Sequence, residues 1–434
     1  MADAAIAQQK WTLEQCIEQA LKQNLQIRQS ELTLQLEEAN RTQSFADFFP
    51  TLNANVTHNY FFGRNIDPVS NQFTTEQVQS NNFSLSSSLI IFRGLQIQNT
   101  FRQSALIHQV ATYDLQTVRN DISLAVAAAY LQVLFANELI TVAEQQLLAT
   151  QEQQTRTKNL VEVGNLPQGS LLDVDAQPAS EEVQLVNAQN NYEISLLNLA
   201  QLMEMQSVEG FSIVAPQIEV PATPADLGTP SAIFSTAQTI LPQILAADTR
   251  VMSSEKGLDI AKGGRYPRLT LSAGIGTNYS SAFRRFENFQ FLEVPFQDQI
   301  EQNYNQSIGL NLSIPIFNNL LTSTGITRAK IALMSSQNNA NIARNNLLKN
   351  IQQAYADAMA ANKKLNATEK SVAALEQSFN YTQQRFDVGV AVSYDYTVAK
   401  NNLARARSEY LQAKYDYIFK TKVLEFYQSK PLTL

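Results

Sequence analysis

The feature that most constrains this chain is a spacing that occurs twice. Ser88-Leu89-Ile90-Ile91-Phe92-Arg93-Gly94 has a counterpart in Ser313-Ile314-Pro315-Ile316-Phe317-Asn318-Asn319, at an offset of 313 − 88 = 225. The interval from Phe92 to the glycine of Val163-Gly164 is 164 − 92 = 72, and that from Phe317 to the glycine of Val388-Gly389 is 389 − 317 = 72. A distance kept to the residue over such a stretch points to two copies of one rigid rod. Upstream, Phe49-Pro50-Thr51-Leu52 matches Tyr266-Pro267-Arg268-Leu269 at an offset of 217. The second copy is therefore longer by 225 − 217 = 8 between its Pro and its Phe, as expected if a loop lies there.

Four stretches alternate with a period of two. Leu52, Ala54 and Val56 interleave with Asn53, Asn55 and Thr57; Phe83, Leu85, Ser87, Leu89 and Ile91 interleave with Ser84, Ser86 and Ser88. In the second copy Leu269, Leu271, Ala273 and Ile275 alternate with Thr270, Ser272 and Gly274, and Ile308, Leu310, Leu312, Ile314 and Ile316 with Gly309, Asn311 and Ser313. Each stretch is about nine to eleven residues with its flanks, the length of a tilted membrane-spanning strand. A soluble sheet with one face on a core would alternate in the same way. The strands form two hairpins about 200 residues apart in sequence, with long aromatic tips, roughly 57–79 and 277–306. Four strands cannot close a membrane barrel, and open edges in lipid cost several kcal/mol per unpaired group. If these are membrane strands, chains must share a barrel, and three chains would supply 3 × 4 = 12 strands.

After each hairpin the period becomes seven. Ile351, Ala358, Leu365, Val372, Phe379 and Phe386 form one row, with Ala354, Ala361, Thr368, Leu375 and Thr382 beside it. The first copy offers Val126, Val133, Ile140, Leu147, Gln154 and Val161, beside Ala129, Ala136, Ala143, Thr150 and Thr157. The return arms carry Leu403, Tyr410, Tyr417 and Leu424, and Leu185, Tyr192 and Leu199. A helix of about 70 residues is about 100 Å long and cannot bury such a seam alone. Val163-Gly164 and Val388-Gly389 read as hairpin tips, with glycine ending each helix in the left-handed conformation. Pro178 is expected to kink the first return arm, where the second has Leu403. Single helices are expected over 12–47 and 231–263.

Composition excludes more than it assigns. The chain of 434 residues is 16% charged, with net charge −7. That balance argues against nucleic acid, and no run of about 18 apolar residues reads as a transmembrane helix. Cys16 is alone and reads as a half-buried helix residue; His58 and His108 lack neighbouring ligands, so neither a metal nor a cofactor site nor an enzyme is expected. The start, Met1-Ala2-Asp3-Ala4-Ala5, has no leader character, so the chain is either cytosolic or has lost a signal peptide, with Ala7-Gln8 a weak candidate for a mature start.

The duplicated spacing with strands attached resembles the outer-membrane efflux protein family, the TolC-type channel-tunnels, over about 11–434. The resemblance implies an α+β membrane protein: a trimeric 12-stranded β-barrel, four strands per chain, continuous with a long α-helical coiled-coil tunnel in the periplasm. It implies two repeats. Residues 1–229 would hold an N-terminal helix, a strand hairpin (50–92), a helical hairpin (94–207) and a Pro-rich linker (208–229). Residues 230–434 would hold a helix (231–263), a strand hairpin (267–317) and a helical hairpin (319–428). The implied function is a passive exit duct for small molecules, drugs or secreted protein in a tripartite efflux or type I secretion system. Its partners would be further copies of itself as a homotrimer, outer-membrane lipid, a periplasmic adaptor (membrane fusion) protein and an inner-membrane pump of the RND, ABC or MFS type. The alternative reading is a soluble coiled-coil scaffold or adaptor-like hairpin protein.

Family residues carry over only at the tips. Acidic side chains six and nine residues past the second tip glycine can ring the periplasmic constriction. Asp395 matches the first position and Val398 departs from the second; the first-copy equivalents are Ser170 and Asp173. Three Asp395 carboxylates on an axis would repel one another and favour cations. The plainer reading is that Asp395 caps its helix. The family's tyrosine-and-arginine lock is replaced by Phe386 and Ala391. Adaptor docking is expected at Glu162, Val163, Gly164, Asp387, Val388 and Gly389, with ordinary helix C-caps as the competing reading.

Overall fold

In the computed structural model, residues 10–66, 71–75, 77–216 and 228–433 are described. The N-terminal calls on 1–9, parts of the first strand-hairpin loop (67–70 and 76) and most of the Pro-rich linker (217–227) lie outside them. The chain runs through β1 (Lys10–Trp11), α1 (Leu13–Gln23), α2 (Leu25–Ala46), β2 (Thr51–Phe61), the short β3 (Asn65–Ile66) and β4 (Phe73–Thr74), and β5 (Val78–Arg93). Then come α3 (Gln96–Glu162), α4 (Gln168–Asp175), α5 (Gln177–Leu202) and β6 (Ser212–Ile213). The second part holds α6 (Pro230–Ile240), α7 (Pro242–Gly263), β7 (Arg268–Ser280), β8 (Arg284–Glu287), β9 (Gln290–Glu293), α8 (Phe296–Gln302), β10 (Asn305–Ser313), α9 (Leu321–Asp387) and α10 (Ser393–Tyr427). Two compact units result, and each draws on both halves of the sequence.

The unit of 35–110 and 248–339 holds a four-stranded antiparallel sheet in the order β10-β7-β5-β2. Its strands have 9, 13, 16 and 11 residues, so two exceed the expected length. Pairing continues past the apolar rows into polar segments such as Tyr60↔Gln79 and Asn82↔Asn278, which carry no hydropathy signal. At the other end β10 stops at Ser313, leaving Ile314 and Ile316 outside the strand. Pro315 has no N–H to continue the ladder. A bulge between Ile90 and Phe92 places Phe92, not Ile91, opposite Leu269. One face collects Leu52, Val56, Phe83, Leu85, Leu271, Ile275, Ile308 and Leu310; the other is Asn, Ser, Thr and Gly. Leu52, Val56, Ile308 and Leu310 are at least 66% exposed.

Both turns from strand to long helix use two left-handed residues: Gly94 and Leu95 (φ 56° and 59°), and Asn319 and Leu320 (φ 52° and 62°). At Gly94 a Cβ would collide with the Gly263 carbonyl oxygen, so glycine is required there.

Among the described residues, the other unit (1–34, 111–247 and 340–434) has helices and, as its strands, the two-residue parallel pair β1–β6. Its largest core joins Leu13, Cys16 and Ala20 of α1 to Val126, Tyr130 and Val133 of α3 and to Leu199 of α5. Tyr130 donates its hydroxyl hydrogen to the Val214 carbonyl at 2.6 Å, tying α3 to the segment after β6. A second core sets Ile233, Ala237 and Ile244 against Leu347, Ile351 and Ala358 of α9 and Leu424 of α10. Part of each heptad row is buried: Ile351, Ala358, Leu365, Leu403, Tyr417 and Leu424 are all at most 5% exposed, while Ile140, Leu147, Val372, Phe379 and Tyr410 are half-buried. Cys16 is fully buried rather than half-buried, and burial pushes its thiol up to about 12.

Three expectations about helices need correction. The regions 12–47 and 231–263 each hold two helices rather than one, broken at Asn24 and Leu241, which stand at the same offset of 217 (241 − 24) as the strand starts. Pro242 forces the second break, since the residue before proline avoids the helical region. Asn24 makes the first: its Oδ1 accepts the Gln26 N–H at 2.9 Å, capping the restart, and its Nδ2 donates to the Leu202 carbonyl. Pro178 marks a break rather than a kink: α4 ends at Asp175, and Pro178 sits in the first turn of α5. Finally, α3 does contain a stretch long and apolar enough to cross a membrane. Its length and composition match those of a span because its middle residues (Val126, Tyr130, Val133, Leu134) fill the helical core.

Candidate functional site: the hairpin tips

The long helices α3 and α9 have 67 residues each, and their starts and their ends share one offset of 225 (321 − 96 and 387 − 162). Both end in the same capping motif. Gly164 (φ 81°) donates its N–H to the Val161 carbonyl and Asn165 to that of Leu160; Gly389 (φ 77°) donates to Phe386 and Val390 to Arg385. No atom lies within 4 Å of where a Cβ would stand on either glycine. Val163 and Val388 are 69% and 74% exposed, and Glu162 and Asp387 are open to solvent beside them.

The structure changes the reading of Asp387. Its carboxylate accepts a hydrogen bond from Arg156 of α3, and its backbone carbonyl accepts a second at 3.3 Å. The first hairpin is thereby clamped to the second close to their tips. Asp387 is therefore part of a link between hairpins rather than a free tip carboxylate. Arg156 carried no signal in the sequence, since an exposed helix arginine reads as solvated.

The capping alternative for Asp395 is also corrected. Val392 is the N-cap of α10, with no side-chain hydrogen bond, and Asp395 lies exposed in the first turn. There the carboxylate favours the positive end of the helix dipole without capping it. Val398, three residues on, is 39% exposed. On α4, Ser170 is half-buried and Asp173 exposed, and α4 packs against α10. The four candidate constriction residues therefore lie on neighbouring helices, with no hydrogen bond or ion pair between the two sets among the described residues. Where the family lock would stand, Phe386, Ala391 and Tyr396 form a buried apolar cluster with Phe379, and the Phe386 and Tyr396 rings lie 5.0 Å apart. Burial, helped by the charges of Asp387 and Glu152, pushes the Tyr396 phenol up.

Behind the tips lies a polar junction that the sequence did not reveal. Lys400 of α10 is 3% exposed. Its ammonium donates to the Thr150 hydroxyl of α3 and sits 3.9 Å from the Glu181 carboxylate of α5. Gln146 donates to both Glu181 and Asn401, at 3.2 and 3.1 Å. Burial pulls the Lys400 ammonium below its usual range and Glu181 opposes that. An open cavity of about 860 Å³ adjoins this junction, lined in part by Asp173, Ala176, Gln177, Glu181 and Arg405, beside the break between α4 and α5. Among the described residues no group of His, Cys, Asp or Glu could hold a metal ion.

The sequence model of the outer membrane efflux protein family matches residues 16–203 and 234–424. The outer membrane protein TolC of Escherichia coli K12 is 23% identical over 420 residues, covering 94% of this chain and 80% of TolC. The outer membrane efflux protein BepC of Brucella suis is 21% identical over 412 residues, covering 94% and 83%. In fold, the chain resembles the outer membrane protein VceC of Vibrio cholerae, with a TM-score of 0.79 at 18% identity over 96% of both chains. It also resembles CusC, with a TM-score of 0.78 at 17% identity over 96% of this chain and 91% of that one. Strand hairpins, long paired helices with glycine tips and a family match across both halves lead to one conclusion: this chain belongs to the outer membrane efflux protein family and is an outer-membrane exit duct.

Proposed function

We propose that three copies of the chain close a 12-stranded barrel in the outer membrane, with the helical hairpins forming a periplasmic tunnel that conducts small molecules outward. The observation that carries this reading is the sheet itself. One chain leaves β2 and β10 with unpaired edges, and leaves Leu52, Val56, Ile308 and Leu310 bare. Unpaired backbone in lipid costs several kcal/mol per group, so the edges must be paired by other copies. The face of Asn, Ser, Thr and Gly then lines a wet lumen, and the apolar face meets lipid. The soluble-scaffold alternative leaves that apolar face without a covering layer.

In this reading the hairpin tips dock a periplasmic adaptor protein, itself coupled to an inner-membrane pump of the RND, ABC or MFS type. Asp395 from each copy forms a cation-attracting ring at the periplasmic end. Exposed valines around an open glycine turn suit an apolar partner contact, and Asp395 is free of any side-chain partner that would neutralise it, among the described residues. Two experiments test the two parts separately. In planar bilayers the wild type conducts with block by a divalent cation, and Asp395→Ala conducts without block. In cells Gly389→Trp assembles normally but loses efflux. Persistent block in the first variant removes the gate assignment, and normal efflux in the second removes the docking assignment.

A further inference from the structure

The segment between β7 and β10 does more than connect them. β10 pairs with β7 only as far as Asn305↔Gly276, so β7 runs on alone along that edge to Ser280. There α8 takes the strand's place. The Thr277 hydroxyl donates to the Ile300 carbonyl at 2.7 Å, and Asn303 Nδ2 donates to the Asn278 carbonyl at 2.9 Å. Gln299, 1% exposed, accepts the Ser280 N–H at 2.9 Å and donates to the Ser280 carbonyl at 3.0 Å and the Val294 carbonyl at 2.8 Å. A buried glutamine with three good hydrogen bonds holds the helix at one place and angle.

That placement puts Phe296 on the apolar face of the sheet. Its ring lies 5.1 Å from that of Tyr279 and 6.4 Å from that of Phe83. Phe83 pairs with Thr277, and two residues on Leu85 pairs with Ile275, so Phe83, Tyr279 and Phe296 share the face of Leu85, Leu271 and Leu310. Above Ile275 that face changes from aliphatic to aromatic and polar, with His58, Tyr60, Phe83, Tyr279 and Tyr304. Phe296 stays 48% exposed, and Tyr304 52%. From Leu269 to Tyr279 are ten residue steps. At about 3.3 Å per step and a tilt of about 40° they rise about 25 Å, the height of the apolar band of an outer-membrane barrel. Aromatic rings with a polar neighbourhood collect at that level because one side is apolar and the other wet.

Resting on the barrel reading above, we propose that α8 is an interfacial anchor: it seats Phe296 in the lipid headgroup layer at the loop end of the sheet and fixes the depth at which the barrel sits. The occupant is the lipid surface, because α8 continues the face that the barrel turns to lipid.

The test uses the full-length chain with Phe296→Trp, reconstituted in vesicles of lipids brominated either near the headgroup or near the chain end. The signal of Trp11, the only native tryptophan, is measured on the unmodified protein and subtracted. Ile275→Trp, six residue steps from Leu269 and four from Tyr279 on the same face, is the depth reference. Phe296→Trp is expected to be quenched about twofold more by the shallow bromines than by the deep ones, and Ile275→Trp to show the reverse order. Quenching of Ile275→Trp with none of Phe296→Trp overturns the anchor and leaves the barrel standing. Quenching of neither overturns both.

Discussion

Along α3 the packed seam changes character. In the middle of the helix it is dry: Val126, Val133 and Tyr130 are at most 1% exposed and meet Leu199 and Leu196 of α5. Toward the tip the same helix buries Thr150, Gln153 and Thr157, all at most 4% exposed. There the contacts are Lys400 on Thr150, and Gln153 on Ser393 and Thr397 at 3.4 and 3.5 Å. The Thr157 hydroxyl and Gln153 Oε1 find no partner among the described residues. A dry seam gains from every methylene it hides, whereas a polar one returns little net stability, because its groups gave up water to form it. Along α3 the packing is therefore apolar in the middle and polar toward the tip.

Three substitutions can break or sharpen that contrast, each read by thermal unfolding of the detergent-solubilised protein. The largest effect belongs to the middle: Leu199→Ala leaves a cavity in the main core and is expected to cost about 3 kcal/mol. A loss below about 1 kcal/mol would mean the middle is no better packed than the tip. Next comes Lys400→Met, expected to cost about 2 kcal/mol by leaving Glu181 buried without its cation. The pH dependence gives a second readout. Lys400 binds its proton less tightly in the fold than in the unfolded chain, so wild-type stability rises with pH between the depressed value and the ordinary one. The Met variant should lack that rise; an unchanged pH profile would release Lys400 from the role. The smallest effect has the opposite sign. Thr157→Val removes a buried hydroxyl without a partner and is expected to gain about 1 kcal/mol. A loss there would show that the hydroxyl is satisfied in the assembly.

The return arms teach a related lesson. α10 runs unbroken for 35 residues, while its counterpart splits into α4 and α5 at Ala176. Pro178 against Leu403 made that difference legible in the sequence, because the missing N–H acts locally. The heptad rows were legible for the same reason: Ile351, Ala358 and Leu365 announce a seam at a fixed step whatever they pack against. What stayed hidden depends on residues distant in sequence. Lys400 and Thr150 are 250 positions apart and Arg156 and Asp387 are 231 apart, and neither Lys400 nor Arg156 reads as buried or paired on its own helix. The bulge at Ile91 and the edge contacts of Gln299 were hidden likewise, since both are set by the neighbouring strand or loop rather than by periodicity.

If the sheet is one third of a shared barrel, the detergent-corrected mass of the membrane-extracted protein is three times the 48.4 kDa of one chain, in a particle that needs detergent to stay dispersed. A detergent-free species of 48.4 kDa, or of twice that, would contradict it, because the edges of β2 and β10 would then not be paired by two further copies.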